Sequence, residues 1–394
     1  MKRFLTVGLG LLALFSAIAK PARESKEDLT DRVFKVAEKQ FFQLDGQLSE
    51  GEFPKSVKKA SLDKTTAASW VAGFYPGSLW YVYLYDNDSR IRALAEKYTA
   101  AMAPATRKHI SHDLGFQINC SYGNALRITG DEKWQPVLLE AARLLAGRFN
   151  PVAGVTRSWN FSPKDQTWLF PVIIDNMMNL ELLTEAARLT GADSLRTMAV
   201  THARTTIQNH FRPDGTCYHV VDYDPETGAV RWRGTHQGYA DESAWGRGQG
   251  WALYGFTMMY EKTGEEAFLR QAETVARMLL KRLPADGIPF WDFDAPEIPE
   301  EHKDASAGAV MSSAFLRLSS LTADKKLSKQ CLAMAETQIR TLASPLYLSA
   351  PGENCGFLLM HSVGNLPKKS QVDVPLPYAD YYFLEALLRW NKIL

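Results

Sequence analysis

The chain has 394 residues, of which 46% are hydrophobic and 23% charged, and its formal net charge is +1 at pH 7. This composition allows one substantial buried core, and no linker-like segment divides the chain into modules. A net charge so close to zero argues against a nucleic-acid partner, since such partners select strongly basic surfaces.

The first segment has the pattern of a secretory signal peptide. Two basic residues precede an apolar run over residues 4–17, and residues 17–19 are Ala-Ile-Ala, a small-x-small cleavage site. We predict a signal peptide over 1–19, export to the periplasm, no membrane contact after cleavage, and a single catalytic domain over 20–394. The alternative is an uncleaved membrane anchor, although the apolar run is shorter than the roughly 20 residues that a span needs.

In chain order, short Thr-Gly-acid breaks interrupt the amphipathic stretches. Gly130, Gly191 and Gly264 each follow a Thr and precede an acid within two residues, and Ala323 stands in a weaker copy. Glycine ends a helix, and the acid begins the next one. A repeat of roughly 60 to 70 residues with such breaks indicates stacked helical hairpins.

The breaks predict twelve helices in six pairs. The first helix of each pair is rich in Gly, Ala and aromatic residues, and the second carries more Lys, Arg and Glu, which indicates an inner and an outer ring. We therefore predict an all-α fold, an (α/α)6 barrel of six helical hairpins. The predicted helices cover residues 27–43, 66–86, 89–102, 111–129, 132–147, 171–190, 193–210, 243–263, 265–282, 304–322, 326–343 and 377–392.

Two acids lie at predicted starts of inner helices, which should meet at one mouth of the barrel. Asp175 stands between Val-Ile-Ile at 172–174 and Met-Met at 177–178, where loss of water favours the protonated acid. Asp113 starts another inner helix. Each acid could instead cap its helix, and Asp175 could be a buried hydrogen-bonded residue. Two carboxyl groups whose environments give them different pKa values are typical of enzymes that cleave glycosides by acid catalysis.

The same helix starts and their loops are rich in flat side chains that can stack on sugar rings or fill the core. These are Trp70, Trp159, Trp168, Trp245, Trp251, Tyr75, Tyr239 and Tyr378. Arg247, between glycines and tryptophans, needs an anion. A substrate carboxylate is one candidate, and a salt bridge to Asp241 or Glu242 is the other. His219 and His236 have no metal-ligand spacing, so we predict substrate contacts and neither metal nor cofactor.

Four cysteines are scattered along the chain and match no metal or CxxC spacing. We predict buried free thiols at Cys120, Cys217, Cys331 and Cys355. The one pair that an exported protein could oxidise is Cys217 with Cys355, because both lie in long loops of the same predicted face.

Five motifs together resemble glycoside hydrolase family 88, the unsaturated glucuronyl hydrolases, over essentially the whole mature chain. The longest motif is the most specific, and any shorter one alone is weak. The resemblance implies an (α/α)6 barrel that acts without metal on oligosaccharides released by polysaccharide lyases. The motifs are SHDLGF (111–116), PVIIDNMMNL (171–180), GTHQGYADESAWGRGQGWALYG (234–255), LLMHSVGNLP (358–367) and YADYYFLEALLRW (378–390).

The resemblance implies hydration of an enol ether. Lyase products carry a C4=C5 double bond in the terminal uronate; a carboxylic acid protonates C4, and the resulting carboxylate activates a water that attacks C5. By motif, Asp175 matches this acid, and Asp113 matches a second acid that binds ring hydroxyls. The matching substrate contacts are His219, Gln237, Arg247 and Trp251, with Trp70, His112, Trp159 and Tyr378 at the pocket wall.

The loop over 361–370 is expected to overhang the second sugar. In the family, Ser and Lys residues of this loop are associated with sulfated hexosamine. This chain has Ser362, Lys368 and Lys369 there, with Asn365 where the family pattern predicts a further Ser. A pair of solvated surface lysines is the alternative. We expect turnover of both sulfated and unsulfated disaccharides from chondroitin, hyaluronan or heparin-type chains.

Three other functions remain open from the sequence. The related unsaturated rhamnogalacturonyl hydrolases have the same barrel and hydration chemistry but act on pectin-derived substrates. An ordinary inverting hydrolase would use Asp113 and Asp175 as separate acid and base on saturated glycosides. A non-enzymatic barrel would bind an anionic glycan without turnover.

Overall fold

The structure is a computed structural model, and it describes residues 23–107, 111–164 and 166–394. The predicted signal peptide lies outside these ranges. A π-helix over Gly115–Gly123 leads directly into α4. The α-helices of the described ranges are α1 (Lys26–Asp45), α2 (Phe74–Asp86), α3 (Ser89–Ala101), α4 (Asn124–Thr129), α5 (Gln135–Ala146), α6 (Asn176–Thr190), α7 (Asp193–His210), α8 (Gly246–Thr263), α9 (Glu266–Arg282), α10 (Ala305–Leu321), α11 (Lys325–Leu342) and α12 (Pro377–Trp390).

The helices form two concentric rings. The inner ring contains α2, the π-helix with α4, α6, α8, α10 and α12; each contacts the next, and α12 closes the ring on α2. Outer helices α3, α5, α7, α9 and α11 each pack against the inner helix before them. This is the predicted (α/α)6 barrel.

The sixth outer helix is α1, which comes from the start of the chain. Phe34 of α1 stacks on Tyr85 of α2 with ring centroids 4.1 Å apart. Lys26 of α1 also donates to the carbonyl of Trp390 at the end of α12, at 3.0 Å. Five pairs are therefore consecutive hairpins, and the sixth joins α1 to α12.

The two rings differ in burial as the sequence predicts. Outer helix α9 buries one apolar stripe that includes Phe268, Leu269, Ala272 and Val275, with charged residues on its other side. Inner helix α10 is buried continuously from Ala305 to Leu318, and its many Ala, Ser and Gly residues let neighbouring helices approach closely.

The three glycine breaks have the predicted geometry. Gly130, Gly191 and Gly264 adopt φ angles of 66°, 70° and 73°, the left-handed region that favours glycine. Each N–H caps its helix by donating to the carbonyl four residues earlier. The Ala323 copy differs, because α10 ends at Leu321 and its C-cap residue, Thr322, has an extended conformation instead.

Several inner helices begin later than predicted, whereas α12 begins at Pro377 as predicted, and small antiparallel sheets occupy the loops. Residues Phe170–Ile173 form a strand, although the predicted helix begins at residue 171, because a short apolar run suits either structure and its partner strand lies about fifty residues later. The sheets are β1–β2, β3–β4, β5–β6–β7 and β8–β9. Their strands are β1 (Phe53–Lys58), β2 (Ser61–Thr65), β3 (Phe149–Asn150), β4 (Val155–Thr156), β5 (Phe170–Ile173), β6 (Val220–Tyr223), β7 (Val230–Gly234), β8 (Ser362–Asn365) and β9 (Ser370–Val374).

All four cysteines are free thiols, so the possible Cys217–Cys355 disulfide is absent. Cys217 is buried against α8, where its N–H donates to Gln249, whereas Cys355 lies half-buried with its Sγ near the carbonyl of Ala60. Within the described ranges, no helix has the length and apolarity to cross a membrane.

Candidate active site

A cavity of about 210 Å³ opens at the mouth where the inner helices begin. It brings together most of the residues that the sequence singled out, and it adds Phe161 and Ile173, which the sequence analysis did not name. The lining residues are Trp70, His112, Asp113, Trp159, Phe161, Ile173, Asp175, His236, Gln237, Arg247 and Asn365.

Asp175 occupies the junction between strand β5 and helix α6. It is 7% exposed and its side chain makes no capping hydrogen bond, so the capping alternative is not realised. Its Oδ2 atom has no hydrogen-bond partner in the described part of the chain. Burial raises the pKa of Asp175 to about 7, and the negative charge of Asp113 adds to the rise, against the opposing charges of Arg247 and His112. A carboxylic acid with a proton available near neutral pH is the result.

His219 stands directly behind Asp175. Its Nδ1 accepts from the backbone N–H groups of His236 and Gln237, at 3.1 and 3.2 Å. Burial holds the pKa of His219 well below its usual range, so the ring is neutral and carries its proton on Nε2, which lies 3.8 Å from Asp175 Oδ2. The sequence analysis predicted a substrate contact here. The structure instead buries the ring against Trp245, 4.4 Å away, outside the cavity lining.

Asp113 lies in the turn before the π-helix. Ser111 Oγ donates to its Oδ2 at 3.0 Å, and His112 Nε2 lies 3.1 Å from its Oδ1. The cap position of the π-helix is Leu114, without a side-chain bond, so Asp113 does not cap it. The carboxylate, with 14% of its side chain exposed, faces the cavity.

Arg247 is fixed by an ion pair that the sequence analysis did not find. Its Nη1 donates to Asp304 Oδ2 at 2.7 Å, both side chains are 1% exposed, and its Nη2 donates to the carbonyl of Gly364 at 2.8 Å. The alternative salt bridge to Asp241 or Glu242 is not formed, because Asp304 takes that place. Asp304 is the N-cap of helix α10, more than fifty residues from Arg247, and its sequence signal is only its position at the start of the predicted helix over 304–322. Among the described residues, the Nε of Arg247 has no partner.

The predicted aromatic and amide contacts divide into two groups. Trp70 and Trp159 line the cavity, and so does Gln237, whose Nε2 donates to the carbonyl of Gly364 at 2.9 Å. Tyr378 lies behind Trp70, with ring centroids 4.9 Å apart. Trp251, predicted to contact substrate, is fully buried in the core against Phe116 and Tyr382 and does not line the cavity.

The β8–β9 hairpin forms one rim of the cavity, as expected for the loop over 361–370. Asn365 lines the cavity, whereas Ser362 is fully buried and does not. Lys368 is exposed, and its Nζ lies 3.0 Å from His236 Nε2 of the lining. Lys369 is exposed as well. Of the loop residues that the sequence proposed for the second sugar, Lys368 is therefore the one placed beside the cavity.

Comparison with known proteins identifies the family. Residues 49–288 match the model of Glycosyl Hydrolase Family 88. The chain belongs to this family. It is 38% identical to the unsaturated glucuronyl hydrolase of Formosa agariphila, over 99% of this chain and 98% of that protein. It is 30% identical to the unsaturated chondroitin disaccharide hydrolase of Streptococcus pyogenes, over 95% of this chain and 96% of that one.

The fold agrees with the family assignment. A crystal structure of an unsaturated glucuronyl hydrolase specific for heparin superposes with a TM-score of 0.89 at 43% identity, covering 93% of this chain and 98% of that one. The predicted (α/α)6 barrel and the predicted glycoside hydrolase class are both confirmed. Across the described residues, no three His, Cys, Asp or Glu side chains cluster as metal ligands.

Proposed function

We propose that this glycoside hydrolase removes the 4,5-unsaturated uronic acid from the non-reducing end of glycosaminoglycan oligosaccharides made by lyases. The names of the relatives support this substrate class, since they include hydrolases of unsaturated chondroitin disaccharide and one specific for heparin. The observation that carries the proposal is Asp175, a buried acid at the cavity with one unpartnered oxygen and a pKa raised to about 7.

The proposed reaction begins with protonation of the enol ether. Asp175 transfers its proton to C4, the C4=C5 π bond supplies the electron pair, and positive charge develops at C5 and the ring oxygen. The Asp175 carboxylate then takes a proton from water as the water oxygen bonds to C5. The hemiketal at C5 opens to a ketone, and the hemiacetal left at C1 releases the aglycone as an alcohol. One residue thus acts as acid and then as base.

The neighbours of Asp175 support these two roles. The neutral His219 points its Nε2–H toward the carboxyl group, where it can hold the carboxylate that forms after proton transfer. Asp113, aligned by Ser111, is placed to accept from sugar hydroxyls. The buried Nε of Arg247 is a donor available to the substrate carboxylate, since the two terminal nitrogens already bind Asp304 and backbone carbonyls.

A panel of unsaturated disaccharides tests the substrate class. We expect loss of the ultraviolet absorbance of the C4=C5 bond with disaccharides from chondroitin, hyaluronan or heparin-type chains. A saturated disaccharide of the same linkage should not be cleaved. Turnover of pectin-derived unsaturated disaccharides alone would favour the rhamnogalacturonyl alternative, and binding without absorbance change would favour the non-enzymatic one.

Heavy water tests the chemistry independently of the substrate panel. Protonation at C4 in D2O places one deuterium on that carbon of the released uronate, which proton NMR detects. An ordinary inverting hydrolysis leaves C4 untouched in the enzymatic step and releases a uronate that still holds the double bond. Deuterium is therefore measured at the earliest time points, because the free unsaturated uronate later ketonises and takes deuterium from the solvent as well. A product without deuterium at C4 would therefore exclude the hydration mechanism even if the disaccharide were cleaved.

We also propose that the protein is exported to the periplasm after removal of residues 1–19. The basic and apolar pattern of the first segment supports this proposal. Intact-mass measurement of the protein recovered from its native cells should give a chain that starts at Lys20. An unprocessed mass in the membrane fraction would contradict it.

A further inference from the structure

A line of rings leads from the catalytic carboxyl group to the protein surface. His219 Nε2 lies 3.8 Å from Asp175, and the His219 ring meets Trp159 edge-on with centroids 5.8 Å apart. Trp159 stacks on Phe161 at 5.2 Å with an interplanar angle of 23°. Asp175 and His219 are buried, with 7% and 2% exposed, Trp159 is half-buried, and Phe161 is 51% exposed. Trp159 and Phe161 both line the cavity, and Phe161 is the outermost and most exposed ring of this line.

Phe161 forms a platform that stacked tryptophans support, although half of it is exposed. The stack continues inward from Trp159 to Trp168, whose ring is 5.5 Å away and tilted by only 22°. Burying the free face of Phe161 under a sugar ring would remove apolar surface from water without reordering the protein. A single exposed aromatic residue is ordinary on a protein surface, but Phe161 also lines the cavity and continues its aromatic wall outward.

A cation lies next to this platform. Lys368 Nζ approaches His236 at 3.0 Å, and the His236 ring lies 6.1 Å from that of Phe161. Lys368 is exposed and no carboxylate forms a salt bridge with it among the described residues. The rim thus combines a flat apolar face with an accessible ammonium group, which together suit a sugar that carries a negative charge.

We propose that Phe161 and Lys368 form a subsite for the third sugar of the substrate, an acidic uronate. The inference rests on the proposed function, in which the unsaturated uronate lies at Asp175 and the second sugar lies against Trp159. In a glycosaminoglycan the third sugar is again a uronate, so its ring meets Phe161 and its carboxylate meets Lys368. The enzyme then uses tetrasaccharides more efficiently than disaccharides of the same polymer.

Unsaturated hyaluronan disaccharide and tetrasaccharide test this subsite, because neither carries sulfate. For each substrate we would measure kcat/KM in the wild type, Phe161→Ala, Phe161→Tyr and Leu169→Ala. Leu169 is the control, since it is 48% exposed and near Phe161 in the chain but does not line the cavity. Melting temperatures verify that each variant is folded. If hyaluronan products are not used, the unsulfated chondroitin pair replaces them.

The readout is the ratio of the tetrasaccharide kcat/KM to the disaccharide kcat/KM. Phe161→Ala should lower this ratio about 2- to 10-fold, the range expected for one aromatic stacking contact. Phe161→Tyr should keep the wild-type ratio, and so should Leu169→Ala. An unchanged ratio in Phe161→Ala, or an equal fall in Leu169→Ala, would overturn the proposal. Failure of the wild type on unsaturated hyaluronan, chondroitin and heparin-type substrates alike would instead reject the proposed function.

Lys368→Met tests the charge of the third sugar. The ratio should fall in this variant, and the fall should shrink as salt screens the pair. If Lys368 instead binds a sulfate on the second sugar, kcat/KM should fall only for sulfated disaccharides. The ratio of tetrasaccharide to disaccharide kcat/KM for the unsulfated substrates should then remain unchanged. That result would overturn the assignment of an acidic third sugar to Lys368.

Discussion

Asp175 at the mouth of the barrel and Glu385 deeper on the barrel axis are both buried carboxyl groups, with 7% and 3% of their surface exposed. Glu385 on α12 is surrounded by donors from other inner helices: the hydroxyls of Tyr81, Tyr254 and Ser313 and the guanidinium of Arg389. Asp175 has an oxygen without any such donor in the described part of the chain.

The two acids show that donors, and not burial alone, decide the charge of a buried carboxyl group. Burial pushes both pKa values upward. For Glu385 the charge of Arg389 and the hydrogen bonds from Ser313 and Arg389 outweigh burial and lower the pKa, whereas the pKa of Asp175 rises to about 7. The axis therefore holds a carboxylate that ties helices together, and the mouth holds an acid that can give up a proton.

The largest expected effect is the loss of turnover when Asp175, the acid with an unpartnered oxygen, is changed. Asp175→Asn keeps the shape of the side chain but cannot deliver a proton, so kcat should fall by about 10²–10⁴-fold or more. Equilibrium binding of the substrate should remain near that of the wild type. A variant that retained more than about a tenth of wild-type kcat would remove Asp175 from the acid role.

Substitution of Glu385, the acid paired with Arg389, should lower the stability of the fold instead. Glu385→Gln leaves Arg389 buried without its counter-charge, so the free energy of unfolding should fall by about 3–5 kcal/mol. Asp175→Asn is the matched control.

Because the folded pKa of Asp175 lies above its unfolded value, the wild type loses stability as pH rises from about 4 to 7, and the Asn variant does not.

Urea denaturation of both variants at pH 7 measures this contrast. Asp175→Asn should be at least as stable as the wild type, while Glu385→Gln should be clearly less stable. Equal destabilisation of the two variants would mean that both carboxyl groups are structural, and the contrast between mouth and axis would then fail.

The pH dependence of kcat/KM is a separate test of the protonated state of Asp175. Activity requires the protonated form of Asp175, so log kcat/KM should be flat below about pH 7 and should decline by one unit per pH unit above it. The melting temperature supplies the control for unfolding over the same range. A rate that increased through pH 7 would indicate that Asp175 acts first as a base.

The smallest expected effect concerns Arg247, which is paired like Glu385 but lies at the mouth. Arg247→Lys keeps the positive charge and can keep the bond to Asp304, yet it removes the planar donors. We expect kcat/KM to fall by about tenfold, mainly through KM, as for the loss of one charge-assisted hydrogen bond. Loss of melting temperature with unchanged KM would show that Arg247 serves only the ion pair with Asp304.

The barrel can be predicted from local patterns in the chain. The glycine breaks end helices through local backbone conformation, and the amphipathic pattern of an outer helix such as α9 depends only on residues three or four apart. The apolar neighbours of Asp175 likewise predicted a protonated acid, because those neighbours are adjacent in the chain.

Only the tertiary structure decided the contacts between residues distant in the chain. It paired β5 with β6, placed His219 behind Asp175, joined Arg247 to Asp304, and moved Trp251 into the core. Helix periodicity gives the direction of a side chain relative to its own helix, but not which side chain of another element it meets. These contacts depend on how the two rings of helices close. They decide whether a side chain of a given type contacts the substrate or packs in the core.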